Sequence, residues 1–141
     1  MGQKAPHENL AVRETLSGAS HAASTVNGAA VDTIGFEDCL VVLIAGTAGA
    51  SATVDVVIQE SSASGSGFAA ITGAAFTQVT TANDLTVYVG RISLLGRKRY
   101  LRAVATVATA ASIASVQFVL TSPHKVPVSQ TNALAFNLDP S

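Results

Sequence analysis

The sequence predicts an all-β chain, folded as an antiparallel β-sandwich or jelly roll with extended N- and C-terminal arms. Three observations carry that expectation. Apolar residues recur at period two in short segments, as at Val54, Val56 and Ile58, which turns one side of a strand toward a core and the other toward water. Six or seven such segments follow one another at roughly 8–12 residue spacing, separated by Gly, Ser, Asn and Thr. No 3.6-residue period is sustained, and the Gly/Thr/Val-rich texture disfavours helix.

Taken in order, residues 1–30 mix Gly18, Gly28 and a Ser/Ala/Asn-rich stretch and read as an extended N-terminal arm. The sandwich is expected over 31–122. From Phe36 the run EDCLVVLIAG, closed by Gly46 and Gly49, reads as a strand buried on both faces. TVDVVIQES follows as a strand with one wetter face, then the loop SSASGSG. FAAITGAAFTQVT holds two short strand candidates around Gly73, with Phe68, Ile71, Phe76 and Val79 expected in the core. An Asn-Asp turn in TANDLTVYVGRI leads into a strand through Tyr88. GRKRYLRAVATV alternates, with Leu101, Ala103, Ala105 and Val107 on one face and Tyr100, Arg102, Val104 and Thr106 on the other, and IASVQFVLT repeats the alternation with Ala114, Val116, Phe118 and Leu120. ATAAS joins these two segments, which are expected to pair as a hairpin. Strands are therefore placed near 38–46, 53–60, 86–92, 99–108 and 113–121. Prolines at 123, 127 and 140 exclude central strands, so 123–141 reads as a C-terminal arm.

Composition limits what such a fold does. At 141 residues the chain is the size of one domain, but aromatics are 5% and Trp is absent, so each buried side chain contributes little area. Charged residues are 12%, about half the usual share. A surface this poor in charge is expected to be covered by a neighbouring subunit or a larger assembly. The net charge of −1 provides no global attraction to nucleic acid or anionic lipid. The uncharged runs at 39–54 and 103–122 are interrupted by small and polar residues and do not read as membrane spans. The start MGQKAPHENLAVRE resembles neither a signal nor a transit peptide.

Chemistry-bearing motifs fail one by one. Cys39 is single and apolar in its neighbours, which excludes a disulfide framework and a CxxC site. GSGFAA at 65–70 matches GxGxxA, but a polar loop precedes it and Gly73 with Thr-rich sequence follows. A dinucleotide fingerprint needs a strand turning directly into a helix. His7, His21 and His124 keep no metal-ligand spacing, and GxSxG is absent. No cofactor, metal or catalytic residue is expected.

What remains is charge placement. Arg91, Arg97, Lys98, Arg99 and Arg102 put five of the eight basic residues within one short segment of the chain. Only Tyr100 stands beside them for base stacking, so a protein surface is the expected partner and direct nucleic-acid contact is not. Arg97, Lys98, Arg99 and Arg102 are the expected docking residues.

Three segments carry a family resemblance: an apolar strand ending in Gly, a strand of V-x-LQES type (Val56 to Ser61) leading through a Ser/Gly loop to F-x-x-x-x-G (Phe68 to Gly73), and a YxG…KRYLR strand (Tyr88 to Arg102). Together, over about 24–121, they resemble small structural proteins of tailed bacteriophages, often encoded next to the major capsid protein. The resemblance implies a non-enzymatic decoration or cement protein on the outer capsid surface, made in the host bacterial cytoplasm. It would bridge major capsid protein subunits as a homo-oligomer, a trimer by analogy, with no membrane. The alternatives it leaves are a head–tail connector or tail structural protein, or a carbohydrate-binding sandwich on the particle surface. The N-terminal arm would lie across a neighbouring subunit.

Overall fold

Alternation in the sequence becomes nine strands in two antiparallel sheets. The computed structural model describes residues 9–125. In chain order the strands are β1 (Ala11–His21), β2 (Ser24–Asn27), β3 (Val31–Asp32), β4 (Phe36–Ala48), β5 (Thr53–Ser61), β6 (Ala69–Ala75), β7 (Thr86–Ser93), β8 (Tyr100–Ala108) and β9 (Ser112–Pro123). The first sheet runs β1-β9-β4-β7, and the second β2-β8-β5-β6 with β3 also on β8. The chain is thus an antiparallel β-sandwich. Apart from β2 to β3 and β5 to β6, each connection crosses from one sheet to the other.

The core joins the period-two positions expected for β5, β8 and β9 to alternate residues of β4. Val54, Val56 and Ile58 of β5 and Leu101, Ala103, Ala105 and Val107 of β8 face Ala114, Val116, Phe118 and Leu120 of β9 and Cys39, Val41, Leu43 and Ala45 of β4. Phe118, Leu43, Leu101 and Leu120 have no exposed surface. Each large side chain of this set contributes about 1.5–3 kcal/mol of burial. Ala fills four of the fifteen positions just named, so the layer between the sheets is thin in apolar volume.

One long side of the sandwich is stitched shut. β1 pairs with β9 through Glu14↔Gln117 and Leu16↔Val116, leaving Thr15 as an extra residue in a bulge. That buried Thr15 hydroxyl accepts the Ala103 N–H at 3.0 Å and donates to the Ala29 carbonyl at 2.7 Å. Its own carbonyl accepts the Ala29 N–H at 2.6 Å, and Gly28 N–H donates to the Ala103 carbonyl at 2.7 Å. A β-carbon at Gly28 would lie 2.6 Å from the Thr15 carbonyl oxygen and 2.8 Å from that of Ala103. Backbone approaching so closely admits only glycine.

Several expectations are corrected. Residues 11–27 are not an arm: β1 and β2 belong to the sandwich, pairing with β9 and β8. Bulges between Glu14 and Leu16 and between Leu16 and Ala19 shift the inward phase and erase the period-two signal that would have marked β1. Pro123 is the last residue of β9 rather than the first of an arm. The remainder of both expected arms, 1–8 and 126–141, lies outside the described residues. β8 and β9 do not form a hairpin. They lie in opposite sheets, because Thr109 takes a positive φ of 75° and the Gly49 N–H binds the Ala111 carbonyl, carrying the chain across to the other layer. The two candidates around Gly73 are one strand, β6, with Gly73 itself at φ 86°. Val79 is buried and bridges Val54, Ile71 and Phe76 lean on the core, and Phe68 is not part of it.

Replacing Thr15 with Val keeps the shape but leaves the Ala103 N–H and Ala29 carbonyl unsatisfied, so unfolding stability is expected to fall by about 1–3 kcal/mol in urea titration. Phe118→Ala is expected to lose about 3–5 kcal/mol in the same measurement, and Leu95→Ala, at an exposed loop position, less than about 0.5 kcal/mol.

Candidate interaction surfaces

The basic segment folds into a corner formed by the β7–β8 loop and the start of β8, where each guanidinium finds a partner of its own chain. Arg91 Nε meets Asp38 Oδ2 at 2.9 Å. Arg97 lies 3.6 Å from Glu60, whose other oxygen accepts the Lys98 N–H at 3.1 Å. Arg99 grips Asp32 with two bonds, Nε to Oδ1 at 2.9 Å and Nη2 to Oδ2 at 2.8 Å, and lies over the Tyr100 ring at 5.1 Å. Arg102 donates to Gln59 Oε1 at 2.9 Å and stacks over Phe68 at 4.2 Å. Planar guanidinium groups suit such paired and stacked sites. The ammonium of Lys98 makes no ion pair among the described residues. The hydrogen bonds from Arg99 hold the Asp32 carboxyl below the usual carboxylate range and push the Arg99 guanidinium up.

The structure places Arg97, Lys98, Arg99 and Arg102 along this corner, and adds Asp32, Glu60 and Gln59, which sequence reasoning missed. These lie 38 to 67 residues away along the chain from the groups they bind, so no local pattern marks them. Around the Val57–Val104 pair, the outer face of the second sheet carries polar groups with partners: Gln78 donates two bonds to Asp55, and the Ser61 hydroxyl binds the Ser66 carbonyl of the covering loop.

The outer face of the first sheet is different. β4 was expected to be buried on both sides, but only Cys39, Val41, Leu43 and Ala45 point inward. Leu40 and Ile44 are exposed on the other face. Register sets Val42 beside Val89 and Ile44 beside Val87, and Val87 and Val89 are 56% and 59% exposed. Val119 of β9 joins Leu40 on one side and Val12 of β1 on the other. An apolar strip thus runs along β4 and β7 and reaches Val119 and Val12, with the Arg91–Asp38 pair at one end and Ser115, Gln117 and Glu14 as its polar border on β9 and β1.

The sandwich is open on the side opposite Thr15. There, between β6 and β7, a cleft of about 310 Å³ is lined by Val41, Ile58, Phe76, Tyr88 and Ile92. The Tyr88 hydroxyl is already engaged with the Asn83 carbonyl at 2.6 Å. Among the described residues, no group of three or more His, Cys, Asp or Glu is placed to hold a metal. Cys39 is fully buried, and desolvation, reinforced by Asp38, pushes its thiol up to about 12. His21 contacts the Ser17 and Ala114 carbonyls, and His124 lies 3.5 Å from Glu37. GSGFAA forms a loop that enters strand β6, with no helix N-terminus to hold a phosphate. No helix of the described residues is long and apolar enough to cross a membrane.

No protein-family model matches the chain, and no curated protein matches it in sequence. Among solved structures, the chain resembles the PBSX exported protein XepA with a TM-score of 0.58 at 14% identity, over 99% of this chain. It spans 46% of that protein, just under half its length. A protein of Bacillus endospore appendages, described as disulfide-linked pili, aligns over 87% of this chain and 97% of its own at 12% identity, with a TM-score of 0.44. The infectious bursal disease virus VP2 subviral particle aligns over 83% of this chain and 30% of its own at 14% identity, with a TM-score of 0.43. The first of these likenesses shows a shared sandwich fold.

Two measurements check this electrostatic picture. Because its folded value is depressed, Asp32 supplies stability that is present above the ordinary carboxylate range and lost as pH falls through the folded value. In an NMR pH titration Arg99→Ala is expected to move the Asp32 midpoint upward; an unchanged midpoint would mean the pair does not form in solution. At pH 8 the Cys39 thiol is expected to ignore a thiol reagent in the native protein and to react stoichiometrically once unfolded.

Proposed function

We propose that the chain is a non-enzymatic structural protein of a tailed-phage virion, decorating and stabilising the capsid by bridging major capsid protein subunits. The observation that carries this reading is the bare apolar face of Leu40, Ile44, Val87 and Val89 on a chain with so few charges. Such a face loses its cost in water only when another protein covers it. The motif-bearing segments support the phage resemblance by their placement. Val56 to Ser61 lies on β5, Phe68 to Gly73 leads into β6, and Tyr88 to Arg102 runs from β7 through the basic corner into β8. The sandwich fold shared with XepA is consistent with it at the level of architecture.

Bridging requires no chemistry. Each contact needs shape and apolar area, repeated over a lattice so that small interfaces add through multivalency. Arg97, Lys98, Arg99 and Arg102 are the proposed docking corner. Their guanidinium groups are held in place by Asp32, Glu60 and Gln59, so the corner presents a preorganised outline with Lys98 as its free charge. Exposed charges of this kind are individually weak and chiefly set orientation and salt dependence.

The test is co-sedimentation with capsids assembled without this protein, followed by cryo-EM of the decorated particles. Saturable binding with density between capsomers is expected, and Lys98→Glu should lower occupancy and flatten the salt dependence. No binding to capsids, or density at the neck or tail instead, would sink the decoration reading.

A further inference from the structure

The four edges of this sandwich are not equivalent. An exposed strand edge presents unpaired backbone N–H and C=O groups and invites pairing with another chain, so edges are ordinarily kept short, bulged or charged. β1 carries Arg13 and Glu14 and two register shifts against β9. β2 and β3 are four and two residues long. β6 has a register shift between its pairs to Val57 and Gln59 and a positive φ at Gly73. β7 has none of these devices. It is eight residues long, pairs with β4 without interruption from Asp38↔Ser93 to Ala45↔Thr86, and carries its one charge, Arg91, near its end. Among the described residues its other side receives no backbone hydrogen bond from β6.

We propose that β7 is a self-association edge, at which a second copy of this chain adds its own β7 antiparallel about a two-fold axis, joining two four-stranded sheets into one of eight strands. Three observations select a second copy as the occupant. Antiparallel pairing of a strand with itself is self-complementary, as an isologous contact requires. The stretch from Thr86 to Gly90 is uncharged, so nothing repels at the axis. The strand ends carry opposite charge: Arg91 stands at one end and Asp84 just before the other. Antiparallel pairing brings Arg91 toward the partner's Asp84. Arg91 uses Nε for Asp38, which leaves both Nη groups for a second carboxylate, and Asp84 uses Oδ2 for the Ala48 N–H, which leaves Oδ1. The pairing also brings the exposed Val87 and Val89 of each copy together, at the margin of the apolar face where exposure is high. It closes at two copies rather than the three expected by analogy.

This inference does not depend on the virion reading, and its test uses the purified full chain alone. Sedimentation velocity across a concentration series is expected to show a monomer–dimer equilibrium. Val89→Lys should weaken the dimer at least tenfold, while Ile113→Lys, on the same face but on β9, should leave it unchanged. A two-fold axis normal to the sheet sets one β7 residue opposite its own copy. In a scan of single cysteines from Thr86→Cys to Arg91→Cys, one position should therefore give a rapid disulfide dimer, against a background in which Cys39 is buried and silent. Should Val89→Lys fail to fold, the cysteine scan decides. A monomer at every concentration overturns the proposal, as does equal cross-linking through Ile113→Cys, which would place two sheets face to face.

Discussion

The structure depends on how the Thr15 hydroxyl closes one side of the sandwich. Two antiparallel sheets with an Ala-rich interior hold each other by limited apolar area, so the seam along their sides matters more than in a core filled by aromatics. The bulge in β1 turns Thr15 inward, and its hydroxyl and carbonyl together satisfy the Ala103 N–H and both polar groups of Ala29. The seam fixes β1 to the second sheet, so β9 and β4 lie in the middle of theirs. β7 is left as the far edge, beyond the reach of any such seam. The closed side and the open side are two consequences of one choice.

Polar satisfaction follows the same division. On the outer face of the second sheet, Asp55, Gln59, Arg102 and Ser61 all have hydrogen-bond partners, and a loop lies over part of it. Ion pairs at the basic corner spend most of its charge within the chain. Removing an acid there would free a cation, but it would also loosen the outline of the corner, because Arg99 is held by two bonds and a ring rather than by charge alone. The first sheet offers no comparable network along Val42, Ile44, Val87 and Val89. Water must bound those side chains in the isolated chain, at a free-energy cost proportional to area.

Much of this was legible. Five strands could be read, β4 from its unbroken apolar run and the others from regular segments between turn residues, and β5, β8 and β9 show their inward sets in the sequence as in the fold. β1 could not be read, since each bulge shifts the phase and leaves Ala11, Thr15 and Leu16 buried at irregular spacing. Pairing is a different kind of information from alternation. β8 and β9 have matching apolar faces whether they lie side by side or across the core, and only the backbone at Thr109 and the Gly49–Ala111 bond decide between them. For the basic corner, the sequence displays the cations clustered and hides the acids, which arrive from β3, β4 and β5 once the chain has folded.

The misreading of β4 carries the functional lesson. An unbroken run from Leu40 to Ile44 signals a strand that avoids water on both faces, yet only one face is covered by the chain itself. Hydrophobic patterning reports what a surface requires and is blind to which molecule supplies it. A standard stable interface buries roughly 800 Å² per partner, and a contact smaller than that is weak on its own. In a lattice the comparison changes, because contacts that fail singly hold when several are made at once and each loss leaves the others in place. A thin core, a charge-poor exterior and one unprotected edge are poor features for a solitary domain, and they are mutually consistent for a subunit whose stability is completed by its neighbours.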